Sequence, residues 1–120
     1  MSSSVLVDHR DGVATIAINR PDTLNALNAE AFRRLGEAIA EAAADARVII
    51  LTGSDRSFSS GADLQSGNDD VTLDLDEANA IIRALIDVPV PTIAAVSGPA
   101  AGIGCSLALA CDYVVMSEDS

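Results

Sequence analysis

The sequence lacks several features that would direct its interpretation elsewhere. It has no Lys and no Trp among its 120 residues, and aromatic residues make up 2% of the chain. Without Lys, Schiff-base catalysis is excluded within these residues, and the core must be built from Ala, Val, Ile and Leu. No run of about 18 apolar residues occurs, which argues against a membrane span. The opening Met1–Ser4 lacks the basic, apolar and cleavage regions of a secretory signal.

Positive charge and cysteine are also scarce. The formal net charge is −11, and no basic stripe is available to bind the phosphates of a nucleic acid. Cys105 and Cys111 are too few and too close for a disulfide framework, which favours a reducing, cytoplasmic location. His9 is the single histidine, so it provides neither a metal site nor a Ser-His-Asp set.

The apolar pattern predicts a hairpin followed by alternating helices and strands. Asp11-Gly12 separates two β-rich runs, which is a hairpin signal. Asn28 is a plausible N-cap for the first helix, and Val48–Leu51 is typical of a strand buried on both faces. Right-handed crossovers would then place a parallel layer under helices, as in α/β folds. The predicted strands are Val5–Val7, Val13–Ile18, Val48–Leu51, Thr92–Val96 and Tyr113–Met116; the predicted helices are 29–44, one from near Asp74 or Asp76 to before Pro89, and Cys105–Ala110.

Three loops follow successive strand ends, which is where parallel α/β units bind ligands. They are Asn19–Asn28, Arg56–Leu64 and Ser97–Ser106. Each has an ordinary structural interpretation: a capped helix start, an Asx turn at Asp63, and glycine packing of a helix against the sheet. Their succession at the ends of three strands favours a functional site.

The motifs in these loops resemble those of the crotonase superfamily, also called the enoyl-CoA hydratase/isomerase family. They are N-R-P-x-x-x-N-A, F-S-S-G-A-D-L and G-x-x-x-G-x-G-C-x-L-A-L-A-C-D, the last ending at Asp112. The resemblance covers essentially all 120 residues. It implies a crotonase-like α/β fold of ββα repeats in a right-handed spiral. The chain stops after a strand, so residues 1–120 are expected to be the amino-terminal part of a single domain.

The same resemblance implies an acyl-CoA enzyme that stabilises a thioester enolate. It implies no metal or redox cofactor, because coenzyme A is part of the substrate, and an assembly of trimers or dimers of trimers. The backbone N–H groups of Ala62 and Ile103 would form the oxyanion hole, with the dipole of a helix beginning near Ile103 adding to it. The residues implied in binding the coenzyme A moiety or the acyl group are Thr23, Leu24, Ala26, Ser60, Ala62, Asp63, Leu64, Gln65, Gly102 and Ile103.

Four positions qualify this picture. Ile103 stands where the family usually has Gly, and Gln65 where a basic residue is common. Arg20 is the local cation for a phosphate, or else part of a structural ion pair. At Ser106 hydratases of the family have a Glu, and a serine lacks the basicity to replace it. Isomerase-type relatives have a small polar residue there, with a single carboxylate later in the chain, beyond Ser120. Double-bond isomerisation is therefore favoured over hydration.

Two other functional classes remain open. A nucleotide-binding module would use Gly98–Gly104 as a phosphate loop, although the glycine spacing differs from G-x-G-x-x-G. A non-catalytic scaffold on the same fold would also lack the carboxylate that Ser106 replaces. Asp63 is interpreted as a loop cap rather than the base, Asp112 as structural, and His9 as exposed.

Overall fold

A computed structural model describes residues 3–54, 56–61 and 71–118, with residues 71–75 described by their backbone. The described residues form one five-stranded sheet in the order β1-β2-β3-β4-β5. Three α-helices connect or follow its strands. The elements are β1 (Val5–Arg10), β2 (Val13–Ile18), α1 (Ala29–Asp45), β3 (Val48–Thr52), α2 (Val71–Asp87), β4 (Thr92–Val96), α3 (Ile103–Ala110) and β5 (Tyr113–Met116).

The chain begins with the predicted hairpin. Asp11 and Gly12 both have positive φ, 53° and 84°, which is the backbone of a type I′ turn. This turn pairs Arg10 with Val13 and makes β1 antiparallel to β2. β1 continues to Arg10, three residues beyond the predicted strand.

The remaining pairs, from β2 to β5, are parallel. Ile49 and Leu51 on β3 belong to the same buried core as Phe32 of α1. Val48 and Ile50, on the opposite face of β3, are half-buried. The prediction that this strand is buried on both faces is therefore wrong, because the helical core covers one face of the sheet.

The helices agree with the pattern except at two starting points. The Asn28 side chain caps α1 by accepting from the Ala31 N–H at 2.9 Å, as predicted. α2 begins at Val71, before the predicted Asp74 or Asp76. α3 begins at Ile103, two residues before the predicted Cys105–Ala110 segment and at the helix start expected beside the oxyanion hole. Among the described residues, no helix is long and apolar enough to cross a bilayer.

Candidate active site

Three loops meet at the carboxyl end of the parallel strands. The first loop (residues 19–28) follows β2, the second loop (53–61) follows β3, and the third loop (97–102) follows β4. Parallel strands end at a common edge of the sheet, so their loops are neighbours there. The second loop lies between the other two and is hydrogen-bonded to both.

The first loop is closed around a buried asparagine. A short 3₁₀ turn, Pro21–Thr23, leads into Leu24 and Asn25, which have φ of 54° and 62°. Asn tolerates this left-handed conformation better than most residues. Asn25 is 1% exposed; its Oδ1 accepts from the Arg20 N–H at 2.7 Å, and its Nδ2 donates to the Ser57 carbonyl at 2.9 Å. Both ends of this buried amide are therefore paired.

Arg20 contributes to the same loop. Its guanidinium donates a short hydrogen bond to the Ala26 carbonyl. A structural ion pair was one of the two roles predicted for this residue; the contact with Ala26 is to a backbone carbonyl, so the ion pair stays a prediction. Its role toward a phosphate stays a prediction.

Polar contacts join the first and second loops. The Ser57 hydroxyl donates to the Leu24 carbonyl at 2.8 Å, and the Ser60 hydroxyl to the Thr23 carbonyl at 3.0 Å. The Leu27 N–H donates to the Gly61 carbonyl at 2.8 Å. Thr23, Leu24 and Ser60 are exposed and so form one surface patch, whereas Ala26 is buried beneath it.

Backbone contacts join the second and third loops. The Phe58 N–H donates to the Pro99 carbonyl, and the Ala101 N–H donates to the Ser59 carbonyl, both at 3.0 Å. Gly104 in the first turn of α3 packs so tightly here that a Cβ would lie 2.6 Å from the Ser59 carbonyl oxygen. The absence of a side chain at this position lets α3 approach the second loop.

The two loops converge at a pair of glycines. Gly61 and Gly102 have φ of 111° and 56°, and a Cβ on Gly102 would lie 3.9 Å from the Gly61 Cα. Ile103, which follows Gly102, opens α3. No described residue accepts a hydrogen bond from the Ile103 N–H, as is usual for the first turn of a helix. The Ile103 N–H, an electropositive backbone group, thus lies one residue from the glycine that converges on Gly61.

The other predicted site residues have varied positions. Ala62, Asp63, Leu64 and Gln65 lie outside the described residues. Gly102 is exposed and Ile103 is half-buried. Ser106 is exposed on α3, and its N–H donates to the Gly102 carbonyl at 3.2 Å.

The remaining candidates lie away from the loops. The Asp112 carboxylate accepts from the Thr92 N–H at 2.9 Å, which fixes the start of β4. Its predicted structural role is confirmed. His9 is exposed on β1, as predicted.

Sequence reasoning missed the buried polar residues that join the loops. Asn25, Ser57 and Ser59 are each at most 1% exposed, although Asn and Ser are usually exposed. The signal available in the sequence was Asn25 itself, a second asparagine within a loop that already contained Pro and Arg. Its partners in the second loop, Ser57 and Ser59, lie more than 30 residues away.

Comparison with known proteins shows that the chain is similar to members of one family. A family model described as enoyl-CoA hydratase/isomerase matches residues 8–120. A probable enoyl-CoA hydratase of Rhodobacter capsulatus is 40% identical over 114 residues, covering 92% of this chain and 44% of that protein. The 1,2-epoxyphenylacetyl-CoA isomerase of Escherichia coli is 36% identical over 130 residues, covering 100% and 50%.

A solved structure extends the likeness to the fold. An enoyl-CoA hydratase/isomerase from Xanthobacter autotrophicus Py2 matches with a TM-score of 0.92 at 36% identity, covering 100% of this chain and 48% of that one. The chain spans about half the length of these proteins and corresponds to their amino-terminal half. The expected fold is thereby confirmed.

Proposed function

Because the chain belongs to the enoyl-CoA hydratase/isomerase family, we propose that its protein is an acyl-CoA enzyme that stabilises a thioester enolate. The proposed oxyanion hole consists of the backbone N–H groups of Ile103 and Ala62. The observation that carries the proposal is the convergence of Gly61 and Gly102 beside the first turn of α3. Both glycines leave the backbone accessible, so a thioester carbonyl could approach it closely.

The chemistry follows from the charge on the thioester. When a proton leaves the carbon next to the carbonyl, negative charge develops on the carbonyl oxygen. Preorganised N–H donors stabilise that charge as it forms, and each donor is worth roughly 10²–10³ in rate. The Ile103 N–H suits this role because it has no acceptor among the described residues and opens a helix.

The proton itself requires a base, and Ser106 bears on which reaction follows. A serine hydroxyl has no basicity comparable to a carboxylate, so residue 106 cannot activate water as a Glu would. Isomerisation needs one base that takes a proton from C2 and returns it at C4, without water. We therefore propose double-bond migration in an enoyl-CoA. Hydration is the second candidate, because relatives such as the Rhodobacter capsulatus protein are named hydratases.

The surface patch of Thr23, Leu24 and Ser60 is the proposed contact for the coenzyme A moiety, together with the buried Ala26 beneath it. The unsaturated acyl thioester carries its own coenzyme A, so no further cofactor is proposed. A cytoplasmic trimer or dimer of trimers is part of the proposal, and sedimentation of the purified protein would test the assembly.

The proposal is tested with acetoacetyl-CoA and the product of the complete gene. This thioester has no double bond to move, and its enolate absorbs in the near ultraviolet. Binding in an oxyanion hole should increase the enolate absorbance, and calorimetry gives the bound fraction. Binding without enolisation would contradict the proposal and favour a non-catalytic scaffold. Turnover of 3-enoyl-CoA and 2-enoyl-CoA, offered separately, then distinguishes isomerisation from hydration.

A further inference from the structure

The buried side chain of Asn25 does more than close its own turn. Its Oδ1 accepts from the Arg20 N–H within the first loop, and its Nδ2 donates to the Ser57 carbonyl of the second loop. Its main-chain carbonyl accepts from the Ser59 hydroxyl at 2.9 Å. Asn25 therefore sets both the bend of the first loop and its distance from the second.

The Ser59 hydroxyl relays this arrangement toward the site. It also accepts from the Gly61 N–H at 3.2 Å. One serine hydroxyl thus connects the Asn25 carbonyl to Gly61, the glycine that converges on Gly102. The Ser59 backbone is in turn bonded to the third loop through Ala101.

The bend at Asn25 also determines where Leu27 lies, two residues later. The Leu27 N–H donates to the Gly61 carbonyl at 2.8 Å. The Leu27 contact therefore holds the Gly61 carbonyl in place, beside the glycine pair at the edge of the proposed oxyanion hole.

We infer that Asn25 is a positioning residue for the oxyanion hole. This inference rests on the proposed function. Asn25 acts through Leu27, Ser59 and Gly61 rather than by touching the substrate. A misplacement of about 1 Å in such a site can cost on the order of 10² in rate, so loss of its side chain should lower kcat more than it alters KM.

The test compares three variants of the complete gene product. Asn25→Gly retains freedom for the positive φ and removes the side chain. Asn25→Asp retains the shape and the acceptor for the Arg20 N–H but replaces the donor that faces Ser57. The control is Thr92→Val, which removes another buried polar group, 0% exposed. Its partner is Asp112, at the amino end of β4 and away from the loops.

Two readouts are needed: kcat and KM with the enoyl-CoA substrate, and enolate absorbance per bound acetoacetyl-CoA. Asn25→Gly should lower kcat by about 10²-fold and reduce the enolate signal, while KM changes by less than about threefold, as expected for an interaction made in the transition state. Thr92→Val should lower the melting temperature but leave kcat and the enolate signal unchanged. If Asn25→Gly does not fold, Asn25→Asp is judged by the same criteria.

The outcomes separate the two proposals. A folded Asn25 variant with wild-type kcat and enolate signal would overturn the positioning role and leave the proposed function standing. A wild-type protein that binds acetoacetyl-CoA without enolising it would overturn the proposed function, and this inference with it.

Discussion

Replacing Ile103 with Pro removes one proposed oxyanion donor and leaves the helix in place. Ile103 is the first residue of α3, after Gly102 as the N-cap, and Pro is well tolerated at this position because its missing N–H has no intrahelical partner. Gly102 has φ 56° and ψ −127°, outside the α region that a following proline disfavours. No hydrogen bond to a described acceptor is lost.

The expected effect is large because the lost group faces developing charge. Removal of one oxyanion donor typically costs about 10²–10³ in kcat, or about 2.7–4 kcal/mol. Ile103→Ala is the matched control, since it retains the N–H and removes more of the half-buried side chain than the Pro variant does. We expect the Ala variant to lose stability while keeping kcat within about tenfold of wild type, which corresponds to about 1.4 kcal/mol.

The assay is turnover of enoyl-CoA by the complete gene product, with circular dichroism and thermal melting as checks of folding. A Pro variant that is folded and turns over as fast as the Ala variant would refute the assignment of the Ile103 N–H. A Pro variant with a raised KM and unchanged kcat would also contradict it, because it would indicate uniform binding rather than stabilisation of the transition state.

Three further predictions concern other residues. Ser106→Ala should lower isomerase turnover by at most about tenfold, because the variant loses one neutral hydrogen bond worth roughly 0.5–1.5 kcal/mol. If the wild type instead hydrates 2-enoyl-CoA fast and the variant does so about 10²–10⁴-fold more slowly, Ser106 holds a catalytic water. Gly104→Ala should lower the free energy of unfolding, measured by denaturant titration, by about 1–3 kcal/mol, because the added Cβ would lie 2.6 Å from the Ser59 carbonyl oxygen. Gly36→Ala is the control and should be tolerated, because its Cβ would meet only the flexible Ile81 Cδ1, at 3.1 Å. Burial raises the pKa of the Cys111 thiol, so the free energy of unfolding should fall as pH rises past the thiol's ordinary pKa, because the thiol ionises there first in the unfolded chain. Cys111→Ala should flatten this alkaline decline, and a steep decline in that variant would show that another group causes it.

The sequence predicted the order of elements because burial of aliphatic side chains sets the period of each segment. The strand pattern at Val13–Ile18 and the N-cap at Asn28 depend on local chemistry, and both are confirmed. The start of α2 at Val71 could also have been predicted, because Val71, Leu75 and Ala78 continue the helical spacing of apolar residues. The start of α3 near Ile103 was expected for the oxyanion hole, but the apolar pattern placed it at Cys105, because Gly104 in the first turn lowers local helix propensity.

The connections between loops could not be predicted from local patterns. Asn25 contacts Ser57, 32 residues away, and the packing of Gly104 on Ser59 depends on how two strands place their loops. The motifs indicated that these segments form a functional site. They did not indicate that buried hydroxyl and amide groups hold the segments together, since each partner is an ordinary loop residue by itself.

The turn at Asp11 and Gly12 has a consequence for the order of folding. It joins β1 to β2 locally, so this strand pair can form within about 1–10 μs once residues 5–18 are free to fold. Each parallel pair must first close a crossover that contains a helix, which slows its formation. On a ribosome the hairpin also emerges before β3, β4 and β5. We therefore expect the hairpin to be the template on which β3, β4 and β5 add in sequence, so that the three loops of the candidate site meet only in the last stages of folding.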